Sequence, residues 1–471
     1  MPCLGAIILV ATLVRLALGF VYFGFQTGDD VEILQAGFLR ALGWPYEPFP
    51  IRNLLVSDLL ATPAIAVASV LGVDSTQTLV WIASFPVVLL ASVNIWLVFK
   101  LAERWLGEPR VALLAAALYA FHWLPLGYGS MVYPRTVSTT CVLLATLLVF
   151  DRQGELWRPR LAGGLMAIAW GVRYSEAVFL LPLLGAVWLQ EETAARRVRG
   201  SLGLLAGFAA GSLVTVGLAE WLTWGKPFAS LIAFARFTLV ERASSSLTPS
   251  QPWSMYLYRL PKWLPLTLLP FLWRSRRVAG SLRVALYILL PLLALSLIHQ
   301  KQLRYLQGII PFVILLSAAG AWSFWKSGRR RLTVVLCVLS FLLGASGVTF
   351  LQRKSMAAVE AAQQLRASAP NVRAVGLSQV WAYGGDLYLG QNVRLLELSY
   401  PLRLEALQDA LTQCEWVGFY AEDLRRNPGA EAMLRQAGFT AAGEYRRGRS
   451  KPVLLYRRSG IPAEALYPRV R

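Results

Sequence analysis

The chain has 471 residues, 56% hydrophobic and 15% charged, with a mean hydropathy of +0.51, which excludes an ordinary soluble globular domain. Its formal net charge is +20, yet many Lys and Arg residues stand in short clusters between apolar runs, as in "ERWLGEPR", "EETAARRVRG", "WRSRRVAGSLR" and "WKSGRRRL". That placement marks the cytoplasmic loops of a polytopic membrane protein and argues against nucleic acid as a partner.

The first apolar run, "LGAIILVATLVRLALGFVYFGF", has no basic start and no clear small-residue cleavage site, so it reads as a retained first helix. With the basic clusters on one side, helices are expected over 5–25, 79–102, 111–127, 136–150, 161–172, 175–190, 202–222, 262–273, 282–298, 306–323 and 331–351. That is about eleven transmembrane helices, from apolar length and loop charge. Segment 55–72 is apolar too, but a full span there puts the later basic loops on the wrong side. It reads as a re-entrant or interfacial piece. Gly203, Gly207 and Gly211 share one helix at small-xxx-small spacing and predict a close helix–helix contact. Cys3, Cys141, Cys337 and Cys414 show no CxxC and no Cys/His metal spacing, so no disulfide framework is expected.

Residues 1–351 are thus expected to form a membrane domain with outer-face loops 26–56 and 223–261. Long loops in compact proteins are usually functional or disordered. These two carry "WPYEPFPIRN" and "PSQPWSMYLYRLP", which are not low-complexity. The tail, 352–471, changes character. "NVRAVGLS", "NVRLLELS", "CEWVGFY" and "SKPVLLYRR" read as strands. "MAAVEAAQQLRASA", "RLEALQDALTQ" and "GAEAMLRQAG" read as helices. The alternation predicts a small soluble α/β domain on the extracytoplasmic side.

The outer loops collect the polar side chains. "FQTGDDVEILQ" brings Asp29, Asp30 and Glu32, and Glu47 follows; the bases are Arg52, Arg135, Arg173, Arg242, Lys301 and Arg304, with His122 and His299 at outer helix ends. Charge at a membrane face is costly and often functional. A carboxylate can take a proton from an incoming hydroxyl, and cations can hold a lipid-linked phosphate as it leaves. Acids and bases together point to glycosyl transfer from a polyprenyl-phosphate sugar. Inversion by single displacement needs one base, and a phosphate leaves without being protonated. No cofactor is expected, and two histidines without ligand spacing make a dedicated metal cage improbable. Plainer roles compete. Asp29 or Asp30 can cap a helix opening at "VEILQAGFLRAL". His299, Lys301 and Arg304 can anchor at head groups. Arg135 and Arg173 can brace the bundle, Arg173 with Glu176. Trp253 and Tyr256 can belong to the aromatic belt.

These residues carry a resemblance. "TGDDVEILQ", "GWPYEPFPIRNLL" with "LGVDSTQTLVW", "YPRTVSTT", and "PSQPWSMYLYRLP" with "HQKQLRYLQGIIPFVILL" resemble, in order, motifs of the GT-C superfamily of membrane glycosyltransferases, and most those of glycosyltransferase family 22. The matches run from about residue 20 to 320. The resemblance implies a GT-C-like fold and transfer of a hexose, mannose in that family, from a polyprenyl or dolichyl phosphate to a lipid- or glycan-linked acceptor. It implies Asp29 or Asp30 as base, with Glu32 as a further candidate. It implies His299, Lys301 and Arg304 at the donor phosphate, helped by Arg135 and Arg173, and Glu47, Arg52, Trp253 and Tyr256 in the loops that meet the acceptor. The family's His-Pro-Asp-Glu reads Thr-Gly-Asp-Asp here, and Gln302 stands in place of an acidic residue. The bias of Arg over Lys leans toward a bacterial inner membrane, with site and tail facing the periplasm (the lumen in a eukaryote). The rival readings are a transporter or flippase for a lipid-linked sugar and a non-catalytic subunit of a glycan-assembly complex.

Overall fold

The computed structural model describes residues 2–150, 155, 157–190, 193–241, 250–347, 355–398, 402–448 and 450–459. The chain divides into two compact units: Met1–Gly19, Pro48–Ala64 and Trp81–Thr349 form one, and Phe20–Glu47, Ile65–Val80 and Phe350–Arg471 the other.

In chain order the first helices are α1 (Pro2–Val21), α2 (Gly28–Leu42), α3 (Thr62–Val70), α4 (Thr76–Leu106), α5 (Pro109–Ala120), α6 (Trp123–Tyr128), α7 (Pro134–Phe150), α8 (Trp157–Val172), α9 (Leu180–Gln190) and α10 (Ala194–Ser212). Most expected spans reappear within a few residues. Two differ. The run expected over 111–127 stops at Ala120, because His122 turns extended and opens α6 by accepting the Leu124 N–H on Nδ1. The run expected over 262–273 breaks into Leu260–Trp263 and Leu269–Ser275, with Pro265 between them. Segment 55–72 forms a π turn, Ser57–Ala61, running into α3. Those 14 residues, Ser57–Val70, reach about 21 Å, short of a hydrocarbon core of about 30 Å. By length and apolarity Pro2–Val21, Thr76–Leu106 and Ala194–Trp224 are sufficient to cross a membrane, among several shorter apolar helices. The expected total of about eleven is not fixed by this.

The glycine spacing does what it predicts. A Cβ on Gly207 falls 1.9 Å from the Arg160 carbonyl oxygen, and one on Gly163 falls 2.0 Å from that of Leu204. Helices α8 and α10 therefore meet backbone to backbone, where only hydrogen fits.

In the second unit, five strands lie in the order β2-β1-β3-β5-β4. They are β1 (Ala374–Ser378), β2 (Arg394–Leu398), β3 (Trp416–Tyr420), β4 (Phe439–Tyr445) and β5 (Val453–Arg458). The first three are parallel and the last two antiparallel. Central β1 and β3 are buried along their whole length, as expected of strands covered on both faces. Helices Leu404–Gln413 and Pro428–Gln436 bury Leu407, Leu411 and Leu434 against Phe419 and Phe439. The N-terminal segments belong to this unit by specific bonds. Phe25 N–H donates to the Ser355 hydroxyl, Gln35 Nε2 to Asp386 Oδ1 at 2.6 Å, and Tyr388 Oη to Gln77 Oε1 at 2.9 Å.

Candidate active site

The acidic stretch is not a solvated loop. Thr27 is extended (φ −151°, ψ 163°) and α2 begins at Gly28, so Asp29 and Asp30 occupy its first turn, where the positive end of the helix dipole favours carboxylates. Both are buried, 6% and 2% exposed. Asp30 is committed to the cap. Its Oδ2 accepts the N–H groups of Gln26 (2.8 Å) and Thr27 (3.3 Å), and its Oδ1 accepts the Thr27 hydroxyl. This is the reciprocal capping box, completed by an Asp at the third helical position. Glu32, half-buried, sits within the same helix. Glu47 is exposed beyond it. Gly43, in the left-handed region at φ 71°, closes α2 with its N–H on the Leu39 oxygen.

The helical unit gathers the cations. Arg135, near the start of α7, forms an ion pair with Glu176 in which both side chains are almost fully buried. Its Nη2 also donates to Ser175 Oγ at 3.0 Å. The same guanidinium lies 4.6 Å from the centre of the Tyr305 ring, and that of Arg304 lies 5.8 Å from it. Glu176, expected beside Arg173, is held by Arg135 as well. Arg173 also adds its charge to Glu176, from an extended position capping the 3₁₀ turn Tyr174–Phe179. One carboxylate thus faces the charge of more than one guanidinium.

Lys301 is buried and ties a loop. Its Nζ donates to the Gln251 oxygen at 2.9 Å and to the Ile298 oxygen. Desolvation lowers its pKa below the ordinary 10.5. His299 is exposed, and its carbonyl accepts the Gln251 N–H at 3.1 Å. Tyr256 is buried and donates to the Gln302 oxygen at 3.4 Å, whereas Trp253 is 68% exposed. Arg52 is half-buried, its N–H on the Phe49 oxygen. Arg242 lies outside the described residues.

Sequence reasoning missed two buried groups in this unit. Glu220 accepts from Asn53 Nδ2 (2.9 Å), Tyr174 Oη (2.9 Å), the Ser230 N–H (2.9 Å) and the Ser230 hydroxyl. It knots the segment after Pro48 to the Tyr174 turn and to helix Ala229–Ala235. Arg15, inside α1, is fully buried with Nη2 3.4 Å from the Ala120 oxygen. A lone acid in "LAEWLTW" and a lone base in an apolar run are the available signals.

Residues 35–379 match the model of the Alg9-like mannosyltransferase family. The chain belongs to this family. Within it, the chain is 25% identical over 368 residues to GPI mannosyltransferase 3 of Yarrowia lipolytica, covering 75% of this chain and 68% of the relative. The matched region begins at Gln35, just after the acidic turn. Among solved structures, ArnT from Cupriavidus metallidurans in the apo state aligns over 96% of this chain and 97% of its own, with a TM-score of 0.63 and 12% identity. The same protein bound to undecaprenyl phosphate aligns with a TM-score of 0.56. The Archaeoglobus fulgidus oligosaccharyltransferase AglB, in complex with an inhibitory peptide and a dolichol-phosphate, aligns over 98% of this chain and 75% of its own, at TM-score 0.54 and 11% identity. The fold is the GT-C fold, and this member of the mannosyltransferase family is an integral membrane glycosyltransferase.

Proposed function

We propose that the chain moves a hexose, mannose by its family, from a polyprenyl-phosphate donor to a lipid- or glycan-linked acceptor at the extracytoplasmic membrane face. The acceptor hydroxyl loses its proton to a carboxylate, its oxygen bonds to the sugar C1, and the C1–O bond to phosphate breaks with the electron pair leaving on the phosphate. The configuration at C1 inverts. Asp29 is the base in this reading, because Asp30 already spends both carboxylate oxygens on the helix cap. Arg135, Arg304 and Arg173 hold the leaving phosphate, with Lys301 and His299 at the margin beside the Gln251 loop. The observation that carries the donor class is the pair of guanidiniums on Tyr305, planar donors suited to phosphate. The polyprenyl phosphates held by the ArnT and AglB structures support it.

The test is transfer by the purified protein in lipid nanodiscs, with undecaprenyl-phosphate mannose as donor and a membrane lipid extract as acceptor. Asp29→Asn is expected to lower transfer by about 10²–10⁴-fold with donor binding kept. Asp30→Asn is expected to keep chemistry and lose helix stability, and Glu32→Gln to act near wild type. Donor binding with no transfer, unchanged by all three substitutions, would return the protein to the transport or subunit reading.

A further inference from the structure

One cavity lies apart from the residues given roles above, wholly within the second unit. Its volume is about 360 Å³, at the small end of ligand pockets, roughly 300–1,000 Å³. Gln35 on α2 and Tyr46 beyond it contribute one side of the lining. Trp381, Asp386, Gln391 and Leu395, between β1 and β2 and on β2, contribute the other. The lining is built rather than incidental. Gln35 Nε2 is bonded to Asp386 Oδ1 at 2.6 Å, and Gly385 beside that amide holds a left-handed φ of 59°, which favours glycine. Gln379, a non-glycine residue at φ 54°, turns the chain into the loop, a conformation that L side chains rarely adopt.

The chemistry of the lining is selective. Two aromatic rings offer flat apolar faces. A carboxylate and two amides offer acceptors and donors at short spacing, the pattern that vicinal hydroxyls satisfy. No lysine or arginine lines it, so it is not suited to a phosphate. Burial also holds the Asp386 carboxyl above its ordinary range, against the hydrogen bond from Gln35, which favours a ligand that donates to it. Gln35 lies six residues along α2 from Asp29, about 9 Å of helix.

We propose that this cavity is the acceptor subsite, taking an uncharged, hydroxyl-rich sugar or polyol unit of the acceptor, its ring laid on Trp381 and its hydroxyls shared among Asp386, Gln35 and Gln391. The inference rests on the glycosyltransferase reading above and names the chemical class of its acceptor.

The test titrates methyl α-D-mannoside, α-1,2-mannobiose and myo-inositol into the full chain in nanodiscs, followed by saturation-transfer-difference NMR. At least one probe is expected to bind, at least tenfold more weakly in Trp381→Ala and Asp386→Asn, and several-fold more weakly in Gln391→Ala. Gln391 is exposed, so that variant does not threaten the fold. Trp381→Phe is expected to recover most of the binding. Failure of every probe to bind, or binding that Trp381→Ala and Gln391→Ala leave unchanged, overturns the assignment. Undecaprenyl phosphate binding by the wild-type protein is measured separately. Its absence sinks the donor reading and leaves the sugar titration to decide the cavity.

Discussion

At the residue scale, two aspartates side by side in one helical turn carry different burdens. Asp30 closes the backbone through both carboxylate oxygens, a commitment that the letters "GDD" do not contain. The sequence offered an Asp as the cap of a helix opening at Val31; the helix opens three residues earlier, with Thr27 as its cap and Asp30 at its third position. Arg135 and Glu176 are the second case. Removing one partner of a buried pair leaves a charge unneutralised, so Arg135→Met or Glu176→Leu alone is expected to cost about 3–5 kcal/mol. The double variant is expected to regain most of the melting temperature in detergent, because two apolar side chains replace two charges. Donor binding is expected to stay lost in the double variant, since the guanidinium over Tyr305 is gone. Recovery of donor binding there would assign Arg135 to bracing alone. Lys301 gives a pH signature. Its lowered pKa means the amine loses its proton as pH rises before an ordinary lysine does. Donor KM is therefore expected to climb on the alkaline side below 10.5, and Lys301→Arg is expected to abolish that climb.

At the element scale, the contact between α8 and α10 depends on what is missing from Gly207. A methyl there meets a backbone carbonyl that is fixed within its own helix. Gly207→Ala is expected to cost about 1–3 kcal/mol through forced separation, read as a lower melting temperature. Leu202→Ala, on the same helix at a position 60% exposed, is expected to shift it little. Helices of this kind were legible because apolar length and glycine spacing are properties of the sequence. Of the strands, β1, β2, β3 and β5 were legible from their short apolar runs, those of β1, β3 and β5 carrying β-branched or aromatic residues. β4 was not: "FTAAGEY" has a weak strand composition and is buried only at its start. Its place comes from pairing with β5. The segment expected as one helix over 262–273 failed because apolarity outvoted two prolines in the reading.

At the scale of the whole molecule, composition made the membrane class legible, and ordered motifs made the family so. The division into units was hidden, because it joins segments far apart in sequence through bonds such as Gln35 with Asp386. Among the described residues no group of three or more His, Cys, Asp or Glu side chains is placed to hold a metal ion. The proposed chemistry runs on guanidiniums and one carboxylate, so transfer is expected to survive EDTA within about twofold. A loss restored by Mg²⁺ or Mn²⁺ would put a metal into the donor site.

The bond between Phe25 and Ser355 has a consequence in time. The helix bearing Asp29 leaves the ribosome more than 300 residues before the serine that fastens the chain just ahead of it. At about 5–20 residues per second, that interval is roughly 15–60 s. Throughout it, the acidic helix is made but its tie to Ser355 is not. The tie from Phe25 to Ser355, and with it the fastening of the chain ahead of the acidic turn, is therefore a late event in synthesis.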